Sequence, residues 1–304
     1  MAQTQKIMIQ TTGLTKKYGT KTAVDHLDLS ILSGEIFGLL GPNGAGKTTT
    51  TLMLTGLTEP TEGTAFIDGR DCIREPMEVK KIVGYMPDNV GFYPDMTGRE
   101  NLRFTAALNG LEKQVAEKSI DRLLERTGLT EAGNQKVGTY SRGMRQRLGV
   151  ADVLIKDPSV IIMDEPTLGI DPEGMRELIS LIRDLSKTEG RTILISSHQL
   201  YQVQQICDRV GLFVGGKLTA CGTIEELAEQ TREDNQYLTE IRVTSGDDHL
   251  THLLKDASGV LSVGREGNRY IVGSDQDITD ALIDRIRAEG YSISSLRPCG
   301  NDLD

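Results

Sequence analysis

Gly41-Pro42-Asn43-Gly44-Ala45-Gly46-Lys47-Thr48 decides the fold. It follows the apolar run Ile36-Phe37-Gly38-Leu39-Leu40 and opens a threonine-rich stretch with helical character. The order is therefore strand, glycine loop, helix, and the spacing is G-x-x-x-x-G-K-[ST]. Each residue type answers to one chemistry. Glycines let backbone N–H groups approach a phosphate closely, and the helix beyond them points its positive end at the anion. A lysine reaches the β- and γ-phosphates, and a hydroxyl ligates Mg²⁺. Lys47 and Thr48 take the last two roles, with Gly41, Pro42, Asn43, Gly44, Ala45, Gly46 and Thr49 completing an expected ATP cradle. A dinucleotide loop is excluded, because G-x-G-x-x-G is absent and the lysine and hydroxyl follow the last glycine.

Outward from the loop, short apolar runs alternate with helical stretches. Val160-Ile161-Ile162-Met163 and Thr192-Ile193-Leu194-Ile195-Ser196 are continuous apolar runs, the pattern of strands buried on both faces. Between them Pro172 to Lys187 has helical periodicity. Strand, helix, strand at this spacing predicts an α/β fold with a parallel sheet and crossover helices. Gly98 to Gly128 reads instead as a helical insertion, part of a helical subdomain at about 95–150. The run Val160–Met163 ends in Asp164-Glu165. An aspartate at that place in a phosphate-loop protein holds Mg²⁺, and the glutamate after it polarises an attacking water.

The composition sets limits on partners. The chain has 304 residues and a net charge of −10. Residues 225–304 hold 17 acidic and 8 basic side chains, whereas residues 1–224 hold 27 and 26. Neither part offers the basic footprint that nucleic acid selects, and Trp is absent, so no nucleic-acid partner is expected. No run of 18 apolar residues is present, and Met1 to Gln10 shows no signal-peptide core. Cys72, Cys207, Cys221 and Cys299 lack C-x-x-C spacing and read as reduced cytosolic thiols.

The charge shift marks a second module. Domains are expected at 1–230 and 231–304. In the latter, Leu238–Thr244 alternates as a strand, and Asp247–Ala257 reads as a helix. Val260–Arg265 and Arg269–Gly273 pair across Glu266-Gly267-Asn268. Asp277–Ala288 is a helix stopped by Gly290, and Tyr291–Leu296 is a last strand. The order β-α-β-β-α-β predicts a small α+β, ferredoxin-like domain. It carries no catalytic cluster, so an accessory or regulatory role is expected. An acidic module is repelled by an anionic inner leaflet, so it is expected to face the cytosol.

Tyr140-Ser141-Arg142-Gly143-Met144-Arg145-Gln146-Arg147 resembles the LSGGQ signature of ATP-binding-cassette (ABC) ATPases. The order of phosphate loop, signature, Asp-Glu pair and then His198 at a strand end is the order of that family, and the resemblance covers about Ile9 to Leu227. It implies a P-loop NTPase cassette that hydrolyses ATP with Mg²⁺. It also implies a homodimer on the cytoplasmic face of the cell membrane, peripheral to a separate multi-helix permease. Tyr18 matches the aromatic that stacks on adenine. Ser141 and Gly143 match signature residues that contact the γ-phosphate bound to the opposite subunit. Asp171 matches the aspartate loop at the dimer interface, and His198 the switch histidine on γ-phosphate. With Lys47 and Glu165, His198 forms the expected catalytic set; Thr48, Asp164 and Asp88 form the expected metal set. Asp88 stands where the family has a Mg²⁺-ligating glutamine, and Arg142 replaces the first signature glycine. Drug-export and copper-enzyme-maturation branches share these departures, which implies an exporter. A soluble family ATPase of the repair or translation type is the alternative. Only 93 residues separate Lys47 from Ser141, which leaves no room for a repair ATPase's coiled coil, and there is one cassette rather than two. A non-catalytic cassette would lack Lys47, Glu165 or His198, and all three are present.

Overall fold

The computed structural model describes residues 6–231 and 237–299. The chain folds as two compact units, Met1–Thr223 and Ile224–Asp304. The helix Ile224–Thr231, which falls almost wholly inside the first domain expected at 1–230, thus counts with the second unit.

The first unit begins with β1 (Ile7–Tyr18), β2 (Lys21–Leu32), β3 (Ile36–Leu40), α1 (Lys47–Leu54), β4 (Glu62–Ile67), β5 (Arg70–Asp71), α2 (Pro76–Ile82) and β6 (Val83–Met86). Three helices follow, α3 (Gly98–Leu108), α4 (Lys113–Arg126) and α5 (Arg142–Leu154). It closes with β7 (Val160–Asp164), α6 (Pro172–Lys187), β8 (Thr192–Ser197), α7 (Leu200–Ile206), β9 (Arg209–Val214) and β10 (Lys217–Gly222).

A six-stranded sheet in the order β10-β9-β3-β8-β7-β6 forms the centre. All its pairs are parallel except the edge pair β9–β10. Every residue of β3, β7 and β8 is buried. The reason is visible in β7: Val160 and Ile162 join one apolar cluster, whereas Ile161 and Met163 join another on the opposite face. Both pleat directions meet hydrophobic surface, so the sequence shows no alternation. Because β3, β8 and β7 are neighbours and parallel, the loops after them emerge at the same sheet edge, where ligands bind in open α/β sheets.

A second sheet, β2-β1-β4-β5, is antiparallel and was not anticipated. The β1–β2 register shifts at four places, which breaks the alternation that would have revealed it. Helices α3 and α4 lie within the stretch Gly98 to Gly128. Thr97 and Glu100 form a reciprocal capping box at the start of α3. On α5, Asp152 is mostly desolvated and its Oδ1 has no hydrogen-bond partner among the described residues. Burial pushes its carboxyl up to about 6, against the lowering by Thr105 and Lys156. A raised carboxyl is a penalty on the folded state at neutral pH, relieved as pH falls through about 6 towards its unfolded value. Asp152→Asn is therefore expected to stabilise the fold at pH 8 by roughly 1–3 kcal/mol, and the gain to vanish near pH 4. Thermal melting of both proteins at the two pH values checks this.

The second unit consists of α8 (Ile224–Thr231), β11 (Tyr237–Val243), α9 (Asp248–Lys255), β12 (Val260–Glu266), β13 (Arg269–Ser274), α10 (Thr279–Ala288) and β14 (Ile293–Cys299). Its antiparallel sheet runs β12-β13-β11-β14, the ferredoxin-like order that the sequence pattern predicts. Ile241, Val243, Tyr270 and Val272 pack one sheet face against Leu250, Leu254, Leu282 and Ile286 of the helices. On the alternate face Glu240, 2% exposed, pairs with Arg242, Arg269 and Arg297 at 2.8, 2.8 and 3.1 Å. Hydrogen bonds from Arg242 and Arg269 hold its carboxyl down at about 2 despite burial.

Candidate nucleotide-binding and hydrolysis site

The loop between β3 and α1 is shaped by glycine. Gly44 and Gly46 have φ of 80° and 114°, a region that side chains disfavour. A β-carbon at Gly46 would clash with the Ala23 carbonyl oxygen, and one at Gly41 with that of Phe213. Gly46 precedes α1 and supplies no side-chain cap, so the first-turn N–H groups of α1 face outward as anion donors. Lys47 is 6% exposed. Its Nζ donates to the carbonyls of Gly41 (2.6 Å) and Pro42 (3.2 Å), which fixes the ammonium under the loop. Ala45 is buried behind it.

The ends of β7 and β8 bring the acidic and imidazole groups to this loop. Asp164, the last residue of β7, is buried and accepts the Ser196 hydroxyl of β8. Glu165 follows with φ 49°, and its N–H donates to the Ser196 carbonyl at 2.9 Å. That turn aims the carboxylate back at the loop. Oε1 lies 2.9 Å from Nδ1 of His198 and 3.8 Å from Nζ of Lys47. Glu165 thus stands within reach of both other residues expected to be catalytic.

A cleft of about 370 Å³ opens between these loops. Of the expected binding residues, Tyr18, Asn43, Gly44, Gly46, Lys47, Thr48 and Thr49 line it, together with Asp88, Asp164 and Glu165. Tyr18 is 51% exposed, with the Lys16 ammonium 5.0 Å from its ring centroid. Lys21 and Ala23 also line the cleft and were not foreseen, because they sit on the strand β2 that the sequence did not reveal. Among the described residues no three acidic, His or Cys side chains converge to hold a metal alone. The donors that do face the cleft are all oxygens, from Thr48, Asp164 and Asp88. That set fits Mg²⁺, which binds through a hydroxyl or carboxylate while phosphates and waters fill the remaining positions.

Ser141, Gly143 and Asp171 do not line this cleft. They form a second cluster. Ser141 caps α5, its Oγ accepting the Met144 N–H at 3.2 Å, and Asp171 caps α6 by accepting from Gly174 at 3.4 Å. A β-carbon at Gly143 would lie 3.4 Å from Ile170 Cγ2 and 3.8 Å from Asp171 Oδ1. The cap role of Asp171 was not foreseen, although a proline at the first helical position follows it and signals a helix start.

The chain is similar to known proteins. Residues 24–168 match the family model described as ABC transporter. The bacitracin transport ATP-binding protein BcrA of Bacillus licheniformis is 42% identical over 226 residues, covering 74% of this chain and 73% of its own. The ABC transporter ATP-binding protein YdbJ of Bacillus subtilis is 36% identical over 278 residues, 88% of each chain, so its likeness extends into the second unit. A solved ATP-binding subunit of an ABC transporter superposes with a TM-score of 0.67 at 28% identity, over 74% of this chain and 93% of that one. With the glycine loop, the Asp-Glu strand end and the histidine beyond it assembled on one sheet edge, the chain belongs to the ABC transporter family as an ATP-binding, ATP-hydrolysing subunit.

Proposed function

We infer that two copies of this chain sandwich two ATP molecules and drive a separate membrane permease, as an exporter. The observation that carries this reading is the division of the site. One chain holds a cleft lined by Lys47, Thr48 and Glu165, with His198 hydrogen-bonded to Glu165 at its edge, while its own Ser141, Gly143 and Asp171 gather around a separate helix start. A second copy supplies the missing face.

Catalysis is then mostly positioning and charge stabilisation. Tyr18 stacks on adenine at the cleft mouth. Backbone N–H groups from Asn43 to Thr49 and the Lys47 ammonium hold the phosphates. Mg²⁺, when bound through Thr48, Asp164 and Asp88, supplies charge neutralisation on the phosphate oxygens. Glu165 orients and deprotonates the attacking water, and His198, fixed by its hydrogen bond to Glu165, meets the γ-phosphate.

The permease is a separate chain in this reading. Among the described residues no helix is long and apolar enough to cross a membrane. The helical insertion offers a contact surface instead. Tyr93 and Phe104 meet edge to face at 5.3 Å, and both are exposed, as are Leu108 and Val115. The exporter direction rests on the likeness to the bacitracin transport subunit and on Asp88 and Arg142. The second unit acts as an accessory, regulatory module, and the complex sits at the cytoplasmic face of the cell membrane.

Affinity purification of the tagged chain, co-expressed with any multi-helix membrane protein that is encoded beside it, tests this. Recovery of both from detergent-solubilised membranes, in a complex with two ATPase copies, is expected. Recovery with ribosomes or DNA instead would overturn it.

A further inference from the structure

Asp88 and Arg142 depart from the family's residues at two separate places, and the structure brings them together. Oδ1 of Asp88 lies 3.7 Å from Nη2 of Arg142, both side chains half-exposed. Asp88 lines the nucleotide cleft, which also holds Asp164, Glu165, Lys47 and Lys21. It also lines an adjoining cavity of about 590 Å³, with Arg142 and Arg145. Among the described residues no other lines both. Arg145 is engaged elsewhere, donating to the Gly138 carbonyl at 3.3 Å. Arg142 follows Ser141 directly as the first residue of α5. It also lies over the loop that leads to Asp171: a β-carbon at Gly169 would stand 2.9 Å from its Nη1.

We propose that Arg142 and the nucleotide's Mg²⁺ compete for Asp88, so that filling a subunit's own cleft unmasks its own signature. With no divalent ion in the cleft, the carboxylates of Asp164 and Glu165 there are offset by the ammonium groups of Lys21 and Lys47, and the Arg142 guanidinium at 3.7 Å is the cation that pairs with Asp88. Attraction then turns Asp88 to Arg142. A divalent ion in the cleft reverses the preference. An exposed, long ion pair is weakly held, and this makes the exchange available. Release of Asp88 leaves an uncompensated guanidinium beside Ser141, at the positive end of α5, directed to the anion that the opposite subunit presents. Arg142 is thus a positioning residue that links the two halves of one chain's site. This rests on the sandwich described above.

The test uses the full chain as a monomer, at dilutions below ATP-driven association, with a fluorescent ATP analogue and titrated Mg²⁺. Its readout is the Mg²⁺ midpoint of nucleotide binding, which needs neither hydrolysis nor pairing. Arg142→Gln is expected to lower that midpoint by about threefold, since a competitor for Asp88 is gone, and Arg142→Lys to keep it near the native value. In an Asp88→Asn background the same Arg142→Gln change is expected to have no effect. An unchanged midpoint in the single variant, or an equal shift in both backgrounds, overturns the proposal. Far-ultraviolet circular dichroism melts confirm that each variant is folded. If the native chain never forms an ATP-dependent dimer at high concentration, the sandwich reading fails independently of the Mg²⁺ result.

Discussion

Glu165→Gln stops turnover while leaving ATP in place. The substitution keeps the side chain's length and the backbone turn, and removes the negative charge and with it the ability to take a proton from water. General-base loss typically costs about 10²–10⁴-fold in rate, so phosphate release should fall by at least about 10²-fold. Binding should persist, because the phosphate cradle is made by the loop and by Lys47, whose ammonium is held by the Gly41 and Pro42 carbonyls. Removing a carboxylate 3.8 Å from that ammonium also leaves Lys47 with more charge to offer the γ-phosphate. The expected product is an ATP-bound dimer that does not reopen, seen as a shift to twice the monomer mass by light scattering. Undiminished phosphate release, or a monomer at saturating ATP, would remove Glu165 from its assigned role.

Lys47→Ala has the opposite signature, in which binding itself is lost. A hydrogen bond to a charged group is worth about 1.5–3 kcal/mol, which corresponds to roughly 10–100-fold weaker ATP binding. The true loss should lie at the upper end. Lys47 is buried, and without it the Gly41 and Pro42 carbonyls face each other across a void with no donor. Equilibrium binding of a fluorescent ATP analogue measures the effect. The melting temperature should fall as well, by a few degrees, since the Gly41 and Pro42 carbonyls lose a buried donor. The two variants together separate holding the nucleotide from cutting it.

The parts of this chain that were legible in the sequence are those where a local pattern has one physical cause. Val160–Met163 and Thr192–Ser196 are apolar throughout because both faces of β7 and β8 are covered. The glycine loop is legible because only glycine tolerates the turn at Gly44 and the contact of Gly46 with Ala23. The α+β order of the second unit followed from turn signals such as Glu266-Gly267-Asn268, where Gly267 takes φ 62°. What escaped is non-local. The β1–β2 pair hides behind register shifts, and with it the presence of Lys21 in the cleft. The pairing of Asp88 with Arg142 is set by the meeting of a strand end and a helix start that are distant in the chain, for which no spacing rule exists.

The left-handed backbone at Glu165 has a consequence for how this protein fails. A non-glycine residue at φ 49° costs on the order of 1–3 kcal/mol, and glycine there would relax that strain. The chain therefore gives up stability in every folded copy to aim one carboxylate. Loss of the carboxylate and gain of robustness can come from the same substitution. A silenced variant at this position would accumulate in the cell as well as the native protein does, and in the proposed complex it would still take the native copy's place. Abundance is then no guide to activity at this site, and inactive copies act as competitors rather than as absences.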